Sequence, residues 1–361
     1  MLKFAFRVDA SVHIGSGHVM RCLVLADELK KQGNHVVFYT RPQPGDLVEL
    51  IKSRGYAVYS LIQPKSLKKP TSSSDYLAWL QVTQHADAEN FLENCNDVDV
   101  VICDHYGIDI EWQTIVRQRK FCKIVVIDDL VRTHDADLII DQTLNRNVLE
   151  YRSKNVKSKI LAGTHFALLA SKFASLRNSK VCPNKTLFGN PRLLITMGAI
   201  DEPNASLNVL NTLKACLKKL PLATVLLSDI SPNYQSVKLF AEENKDWVTH
   251  IDYVDDMASL MICNDISIGA AGSTSWERAC LGLPSILIPL ADNQRDICEN
   301  LTKSGAALSL ELVDVPNYLS KLYCQLIINY ASVRNACLSV CDGMGVERVV
   351  NEINKMMTQD D

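Results

Sequence analysis

Residues 3–31, KFAFRVDASVHIGSGHVMRCLVLADELKK, read as one strand, one glycine-rich turn and one helix. The apolar run from Lys3 to Asp9 predicts a strand, and the residues from Val19 to Lys31 predict a helix. The turn contains Gly15-Ser16-Gly17-His18, where glycines let a ligand approach the backbone and helix N–H groups face an anion. His18 is therefore a candidate general base beside a site for a phosphorylated substrate.

The alternation of strand and helix continues along the chain. Its 361 residues exceed the usual size of a single core, so we expect two domains. A polar stretch from Asn178 to Pro191 precedes a new strand, which gives predicted domains 1–178 and 191–361, the second ending in helices. Within the first domain, Asp75 to Asn94 has a helical composition. The predicted fold class is α/β, with two doubly wound Rossmann-like domains facing each other across a cleft.

Composition excludes several classes of protein. A net charge of −3 and a hydrophobic content of 47% describe a soluble globular protein with no bulk attraction to nucleic acid or membrane. The first residues lack the apolar core of a signal peptide, and no stretch reaches the roughly 18 apolar residues of a membrane span. The 12 cysteines include no C-x-x-C pair and lie in apolar runs, so we expect buried free thiols. These observations predict a cytoplasmic protein, and a monomer is the default.

A second candidate site follows a strand of the C-terminal half. Gly272-Ser273-Thr274-Ser275 precedes a predicted helix, and Ser273 is the candidate N-cap. Free N–H groups and the hydroxyls of this turn suit a diphosphate without a metal, and Glu277 suits the two hydroxyls of a ribose. The alternative is an ordinary capped helix with a solvated glutamate.

Two further turns of the C-terminal half are candidate substrate contacts. Asn293 and Gln294 follow the next strand, where their amides either donate to acetyl or phosphate groups or cap the following helix. Met197 and Gly198 end the first strand of the second domain, at a turn expected to face the cleft.

Asp104-His105-Tyr106-Gly107 ends a central strand of the first domain. The phenol of Tyr106 is a candidate for orienting a water or a sugar hydroxyl, and a plain strand-end turn is the alternative. Asp128 and Asp129 end the adjacent strand and, with His105, offer oxygen and nitrogen ligands. No second histidine lies at ligand spacing, so we predict no metal and no cofactor.

These motifs resemble those of the nucleotide-sugar hydrolases of pseudaminic acid biosynthesis, which are related to the glycosyltransferase that makes peptidoglycan lipid II. The resemblance covers residues 3 to 305, and its N-terminal motif is the specific one. It is carried by Arg7-Val8-Asp9-Ala10-Ser11, Ile14 to Cys22, Asp104 to Gly107, Asp128-Asp129, Met197-Gly198, Gly272 to Glu277 and Leu281-Gly282-Leu283-Pro284. Ala199-Ile200 departs from the Met-Gly-Gly-x-Asp pattern that family members often show.

The resemblance implies a GT-B fold and metal-independent hydrolysis of a UDP-2,4-diacetamido-2,4,6-trideoxy sugar. Water would attack the anomeric carbon with inversion and release UDP and the free sugar. UDP leaves as a stabilised anion, so one base suffices where most glycosidases need two carboxyl groups. His18 would be that base, kept neutral by the positive end of its helix, and Tyr106 would position water or sugar. The expected substrate-binding residues are Asp9, Gly15, Ser16, Gly17, Arg21, Met197, Gly198, Gly272, Ser273, Thr274, Ser275, Glu277, Asn293 and Gln294.

Three other functions remain open from the sequence. A glycosyltransferase with the same fold would release UDP only when an acceptor is present. A hydrolysing 2-epimerase would invert C2 of the released sugar. A non-catalytic binding protein would keep its ligand after the substitution His18→Ala and would have no turnover to lose.

Overall fold

The computed structural model describes residues 1–72, 74–179, 187 and 189–358. The chain divides into two compact units. The first unit comprises Met1–Leu169 together with the segment that begins at Met344, and the second comprises Ala170–Gly343.

Each unit is built on a parallel sheet. The first sheet has the strand order β3-β2-β1-β4-β5-β6-β7, and the second has the order β10-β9-β8-β11-β12-β13. The strands of the first unit are β1 (Lys3–Val8), β2 (His35–Thr40), β3 (Ala57–Ser60), β4 (Val100–Asp104), β5 (Lys123–Ile127), β6 (Leu138–Asp141) and β7 (Lys159–Ala162). Those of the second unit are β8 (Arg192–Thr196), β9 (Leu222–Leu226), β10 (Val248–Ile251), β11 (Ile266–Gly269), β12 (Ser285–Leu287) and β13 (Ala307–Ser309).

Helices connect the strands within each unit. In chain order they are α1 (Gly17–Lys31), α2 (Val48–Ser53), α3 (Tyr76–Leu80), α4 (Gln84–Asn94), α5 (Ile110–Arg119), α6 (Val148–Arg152), α7 (Ser171–Arg177), α8 (Ala205–Cys216), α9 (Tyr234–Glu243), α10 (Met257–Ile262), α11 (Ser273–Cys280), α12 (Arg295–Lys303), α13 (Val315–Ile328), α14 (Tyr330–Val340) and α15 (Gly345–Thr358). Short 3-10 helices lie at Thr164–Phe166, Asp292–Gln294 and Leu312–Asp314.

The first sheet is covered by helices on both faces. Every residue of β4 is buried, as expected for a parallel strand between two helical layers. Phe6 and Ile102 belong to an apolar cluster that includes residues of α1 and α15, whereas Val101 packs in a second cluster with Trp112 of α5. Polar residues that leave the carboxyl ends of these strands are thereby held on a rigid support.

The predicted α/β class and the two doubly wound sheets are confirmed. The division of the chain differs from the predicted domains 1–178 and 191–361, because α7 belongs to the second unit and α15 to the first. Val346, Val350 and Ile353 of α15 pack into the core of the first unit. An apolar stripe on a helix shows that the helix is buried but does not show which core buries it.

The predicted helical segment from Asp75 to Asn94 is two helices. Gln81 lies between α3 and α4 with a φ of 70°, a left-handed conformation that interrupts the helix. Most of the predicted boundary segment 178–191 lies outside the described residues. In the described part of the chain, no helix has both the length and the apolar character needed to cross a membrane.

Candidate active site

The glycine-rich turn of the first unit places His18 at the start of a helix. Gly15 has a φ of 80° and donates its N–H to the Ser11 carbonyl at 2.8 Å, a conformation that favours glycine. Helix α1 begins at Gly17, two residues earlier than predicted, so His18 lies in its first turn. Gly15, Ser16 and Gly17 are all partly exposed beside it.

His18 forms a buried pair with Asp104, the last residue of β4. The His18 Nδ1 and Asp104 Oδ1 atoms are 2.6 Å apart, and the residues are 8% and 0% exposed. Among the described residues, none hydrogen-bonds to Nε2 of His18. A carboxylate that accepts the Nδ1 proton fixes the imidazole and leaves Nε2 to accept a proton, which is the arrangement of a general base.

Asp104 is kept ionised by its neighbours. Arg21 donates from Nε to Oδ2 at 2.6 Å and from Nη2 to Oδ1 at 2.7 Å. Burial opposes ionisation, but the charges of Arg21 and His18 hold the pKa of Asp104 well below its usual value. Asp104 was not predicted as a site residue, although the strand register places it opposite Val8 and thus near the turn that carries His18.

Arg21 contacts two carboxylates. Its guanidinium donates to Asp104 and, from Nη1, to Asp129 Oδ2 at 2.8 Å, and the residue is 6% exposed. Arg21 therefore supports Asp104, and its contact with substrate stays a prediction. Since α1 supplies both His18 and Arg21 one turn apart, the same helix face holds the base and its support.

Tyr106 lies against the candidate base. Its hydroxyl donates to Asp129 Oδ2 at 2.9 Å, and its ring stands edge-on to the His18 ring with centroids 4.6 Å apart. Burial and the Asp129 carboxylate raise the pKa of Tyr106 well above its ordinary value. Tyr106 therefore supports the imidazole, and its role in orienting water or sugar stays a prediction.

Two aromatic residues of α3 complete the wall around His18. Trp79 lies with its ring centroid 6.5 Å from that of His18, and Tyr76 packs against Tyr106 at 5.1 Å. A Cβ atom on Gly107 would lie 2.5 Å from the Tyr76 carbonyl oxygen, so glycine is required for this approach. Sequence patterns did not single out Tyr76 or Trp79, because aromatic residues in a helix usually indicate only a core.

Asp9 is a structural anion and not the predicted substrate contact. It is 0% exposed and accepts from both terminal nitrogens of Arg7, at 2.5 and 2.9 Å, and from the Arg41 backbone N–H at 2.7 Å. Arg7 also donates to Asp87 at 2.9 and 2.7 Å. Arg7 and Asp9 are two residues apart, but the sequence did not reveal the whole network because Asp87 and Arg41 lie far from them along the chain.

His105 and Asp128, which the sequence offered as metal ligands, contact different partners. His105 accepts the Gly107 N–H on Nδ1 and lies with Nε2 3.4 Å from Asp9. Asp128 accepts from Arg132 Nε at 2.8 Å and lies 3.3 Å from His134 Nε2. Within residues 1–72, 74–179, 187 and 189–358, no three His, Cys, Asp or Glu side chains are grouped to hold a metal.

The Asp128–His134 pair resembles the Asp104–His18 pair in composition. Each consists of a fully buried aspartate at a strand end, one histidine and one arginine, here Arg132. His134 also receives a hydrogen bond on Nδ1 from Gln113 at 3.0 Å, so both of its ring nitrogens have neighbours. This second pair is therefore a natural control for the first.

The candidate diphosphate site of the second unit begins at Gly272. This glycine, and not the predicted Ser273, is the N-cap of α11. Ser275 is buried, and its Oγ accepts the Gly272 N–H at 3.2 Å, so it supports the turn. Ser273 and Thr274 are partly exposed, and the first N–H groups of a helix have no partner within the helix. The donors suited to an anion are therefore these N–H groups and the hydroxyls of Ser273 and Thr274.

Glu277 lies one turn further along α11 and is partly exposed. Its Oε2 atom is inaccessible to solvent and has no hydrogen-bond partner among the described residues. Burial raises the pKa of Glu277 to about 7. Because an unpartnered carboxylate oxygen is costly when it is shielded from water, Glu277 differs from an ordinary surface glutamate.

The remaining predicted contacts differ in accessibility. Met197 is 3% exposed, whereas the following Gly198 is exposed and has a φ of 85°. Asn293 is exposed, but Gln294 accepts the Leu290 N–H on Oε1 at 2.9 Å and thus serves the turn. Asp201, which was not among the predicted contacts, accepts the Ala205 and Ser206 N–H groups at 2.8 and 2.9 Å and so supports the start of α8.

The two sheets and their strand orders define a protein of the GT-B fold. Similar solved structures include Acinetobacter baumannii MurG, with a TM-score of 0.67 and 15% identity over 98% of this chain and 100% of that one. CalG4, the calicheamicin glycosyltransferase, has a TM-score of 0.66 and 13% identity over 98% of both chains. The glycosyltransferase family 28 C-terminal domain matches residues 207–326, within the second unit.

Among curated proteins, the chain is similar to the Campylobacter jejuni UDP-2,4-diacetamido-2,4,6-trideoxy-beta-L-altropyranose hydrolase. The two are 26% identical over 305 residues, which cover 84% of this chain and 97% of the hydrolase. The Bacillus subtilis spore coat polysaccharide biosynthesis protein SpsG is 21% identical over 98% of both chains. Protein MJ1062 of Methanocaldococcus jannaschii is 24% identical over 84% of this chain, which spans only 58% of the length of MJ1062. The resemblance predicted from the motifs is confirmed.

Proposed function

We propose that this protein is a UDP-sugar hydrolase that uses His18 as general base. The observation that carries the proposal is the 2.6 Å contact between His18 Nδ1 and Asp104 Oδ1, which leaves Nε2 to act on a water molecule. The similarity to the Campylobacter jejuni hydrolase supports UDP-2,4-diacetamido-2,4,6-trideoxy-β-L-altropyranose as substrate.

The reaction breaks the bond between the anomeric carbon and the UDP oxygen. Nε2 of His18 takes a proton from water while the water oxygen bonds to the anomeric carbon from the opposite face. The bonding electron pair leaves with UDP, and the configuration at that carbon inverts. Asp104 stabilises the imidazolium that forms, as the buried aspartate does in Ser-His-Asp hydrolases.

The second unit supplies the proposed nucleotide contacts. The N–H groups and hydroxyls of Ser273 and Thr274 bind the diphosphate, and the carboxylate of the partly exposed Glu277 accepts the ribose hydroxyls. UDP is a stable anion, so the leaving oxygen needs these donors and no strong acid. A base and an anion site are therefore sufficient for the proposed chemistry.

Hydrolysis in oxygen-18 water without an acceptor tests the proposal. The expected result is UDP release with the label in the sugar hydroxyl. Label in UDP would mean attack at phosphorus and would overturn the mechanism. The variant His18→Gln should lose turnover and keep UDP affinity, whereas His134→Gln, at the matched pair, should keep turnover.

A glycosyltransferase is the second candidate function. It is supported by the match of residues 207–326 to the family 28 C-terminal domain and by the similarity to MurG. A transferase would release UDP slowly in water and rapidly when a sugar or lipid acceptor is added. UDP release that requires an acceptor would therefore favour this function over hydrolysis.

A further inference from the structure

Arg278 lies buried beneath the loop that precedes α11. The residue is 1% exposed, and its Nη2 donates to the Ala270 carbonyl at 2.6 Å and to the Ser275 Oγ at 3.2 Å. The same Oγ accepts the Gly272 N–H at 3.2 Å. One guanidinium thus connects both ends of the turn at residues 270–275.

No carboxylate among the described residues bonds directly to the guanidinium of Arg278. Its Nε and Nη1 atoms are buried and make no hydrogen bond within the described part of the chain, where no carboxylate oxygen lies within 4.0 Å of the guanidinium. The charge of Glu277 attracts the guanidinium without a hydrogen bond, and Oε2 of that residue is also unpartnered. Burial lowers the pKa of Arg278 to about 10, so the group stays cationic at neutral pH. A buried cation with unmade hydrogen bonds is costly, and an anion bound close to it would offset part of that cost.

The end of β11 is shaped around this guanidinium. A Cβ atom at Gly269 would lie 2.5 Å from Arg278 Nη1 and 2.4 Å from the Thr196 carbonyl oxygen. Glycine at this position therefore leaves room for a cation directly under the turn. The arrangement is a built support and not a surface arginine that happens to lie near a helix.

We propose, on the basis of the nucleotide site proposed above, that Arg278 is a positioning residue for the diphosphate of a nucleoside diphosphate or its sugar ester. It holds Ala270 and Ser275 so that the first N–H groups of α11 face the ligand. Its charge adds to the positive end of the helix, and the diphosphate neutralises both. Diphosphate affinity then depends on Arg278 even though Ser275 separates the guanidinium from the ligand.

Arg334 provides a matched control at the other end of α11. It is 4% exposed, and its Nη1 donates to the Leu281 and Gly282 carbonyls at 3.3 and 2.5 Å. Arg278 and Arg334 are thus both buried arginines of the second unit that bind backbone carbonyls, Arg278 at the turn before α11 and Arg334 at the segment after it. Loss of Arg334 should affect folding stability without selective loss of diphosphate binding.

Titration calorimetry with UDP and with uridine separates charge from general damage. In Arg278→Met we expect UDP affinity to fall about 10- to 100-fold, as loss of one charge near a dianion in a medium of dielectric about 20 implies. Uridine affinity should stay unchanged, because uridine carries no phosphate. Arg278→Lys keeps the charge but cannot reach two acceptors in the same way, so its loss should be smaller and also confined to UDP.

The ratio of UDP to uridine affinity decides the outcome. The role of Arg278 would be overturned if both Arg278 variants kept the wild-type ratio of UDP to uridine affinity. It would also be overturned if Arg334→Met lowered that ratio as much as the Arg278 variants do. If Arg278→Met does not fold, the ratio in Arg278→Lys decides alone. Failure of the wild-type protein to bind UDP would instead refute the proposed function, so the two failures are distinguishable.

Discussion

Replacing Asp104 with asparagine removes the charge that supports His18 and keeps the size of the side chain. Asparagine cannot stabilise an imidazolium as a carboxylate does, although it can still accept one hydrogen bond from Arg21. In the proposed mechanism the imidazolium forms only as water is deprotonated. The substitution should therefore lower kcat and leave UDP affinity unchanged.

The size of the effect follows from the geometry. His18 Nδ1 and Asp104 Oδ1 are 2.6 Å apart, which places the two charge centres about 4 Å from each other. At an effective dielectric of about 20 their attraction is about 4 kcal/mol. Arg21 shares the carboxylate and reduces the net gain, so we expect a loss of about 2–3 kcal/mol, or about 30- to 150-fold in kcat.

Asp128→Asn is the control for this experiment. Asp128 is also fully buried, ends the neighbouring strand and faces a histidine and an arginine, so both variants should lose similar stability. UDP release from the sugar nucleotide is measured for both, together with urea unfolding. Equal loss of kcat in the two variants would refute the proposed action of Asp104 through His18. A double variant of Asp104→Asn with His18→Gln that is much slower than His18→Gln alone would refute it as well.

Three further predictions concern single groups. Burial raises the pKa of Glu277 to about 7, so the affinity for UDP should rise between about pH 6 and 8 as the carboxylate forms. Calorimetry on Glu277→Gln should show a UDP affinity that changes less with pH. Gly107→Ala should lower the free energy of unfolding in urea by about 1–3 kcal/mol, because the new Cβ would lie 2.5 Å from the Tyr76 carbonyl oxygen. An unchanged free energy of unfolding would contradict that packing. Burial opposes the ionisation of Asp128, but His134 and Arg132 outweigh it and lower the pKa of this carboxyl. The stability that the carboxylate contributes is therefore fully present above its pKa in the unfolded chain, about 3.9, and is lost as the pH falls below that value. Acid titrations followed by circular dichroism should therefore show a weaker pH dependence in Asp128→Asn.

The fold was predictable because parallel strands are marked by continuous apolar runs. The run Val100–Asp104 is buried along its whole length, and such a strand cannot lie at a solvated edge. Local patterns could not reveal the break at Gln81, where a non-glycine residue adopts a left-handed conformation held by tertiary contacts. Its side chain is bonded to the Lys68 backbone at 2.6 and 2.9 Å, a contact between residues 13 positions apart.

Those site residues were predictable from the sequence that belong to one continuous segment with a recognisable motif. His18 and Glu277 each follow a glycine-containing turn, and this local signal indicates a helix start beside a ligand. Asp104 was missed because its partner lies 86 residues away, and only the pairing of β1 with β4 brings the two together. Asp9 was misassigned although Arg7 lies only two residues away, because its other neighbours, Arg41 and His105, come from distant parts of the chain.

The structure also adds a support for His18 that the sequence did not reveal. The prediction of a general base rested on the glycine-rich turn and on the first turn of α1, where His18 lies. Asp104 of β4 places its Oδ1 atom 2.6 Å from Nδ1 of His18. In the proposed mechanism this carboxylate orients the imidazole and stabilises the imidazolium as it forms, which the positive end of a helix cannot do. The proposed base therefore depends on two elements, α1, which carries His18, and β4, whose last residue holds its ring.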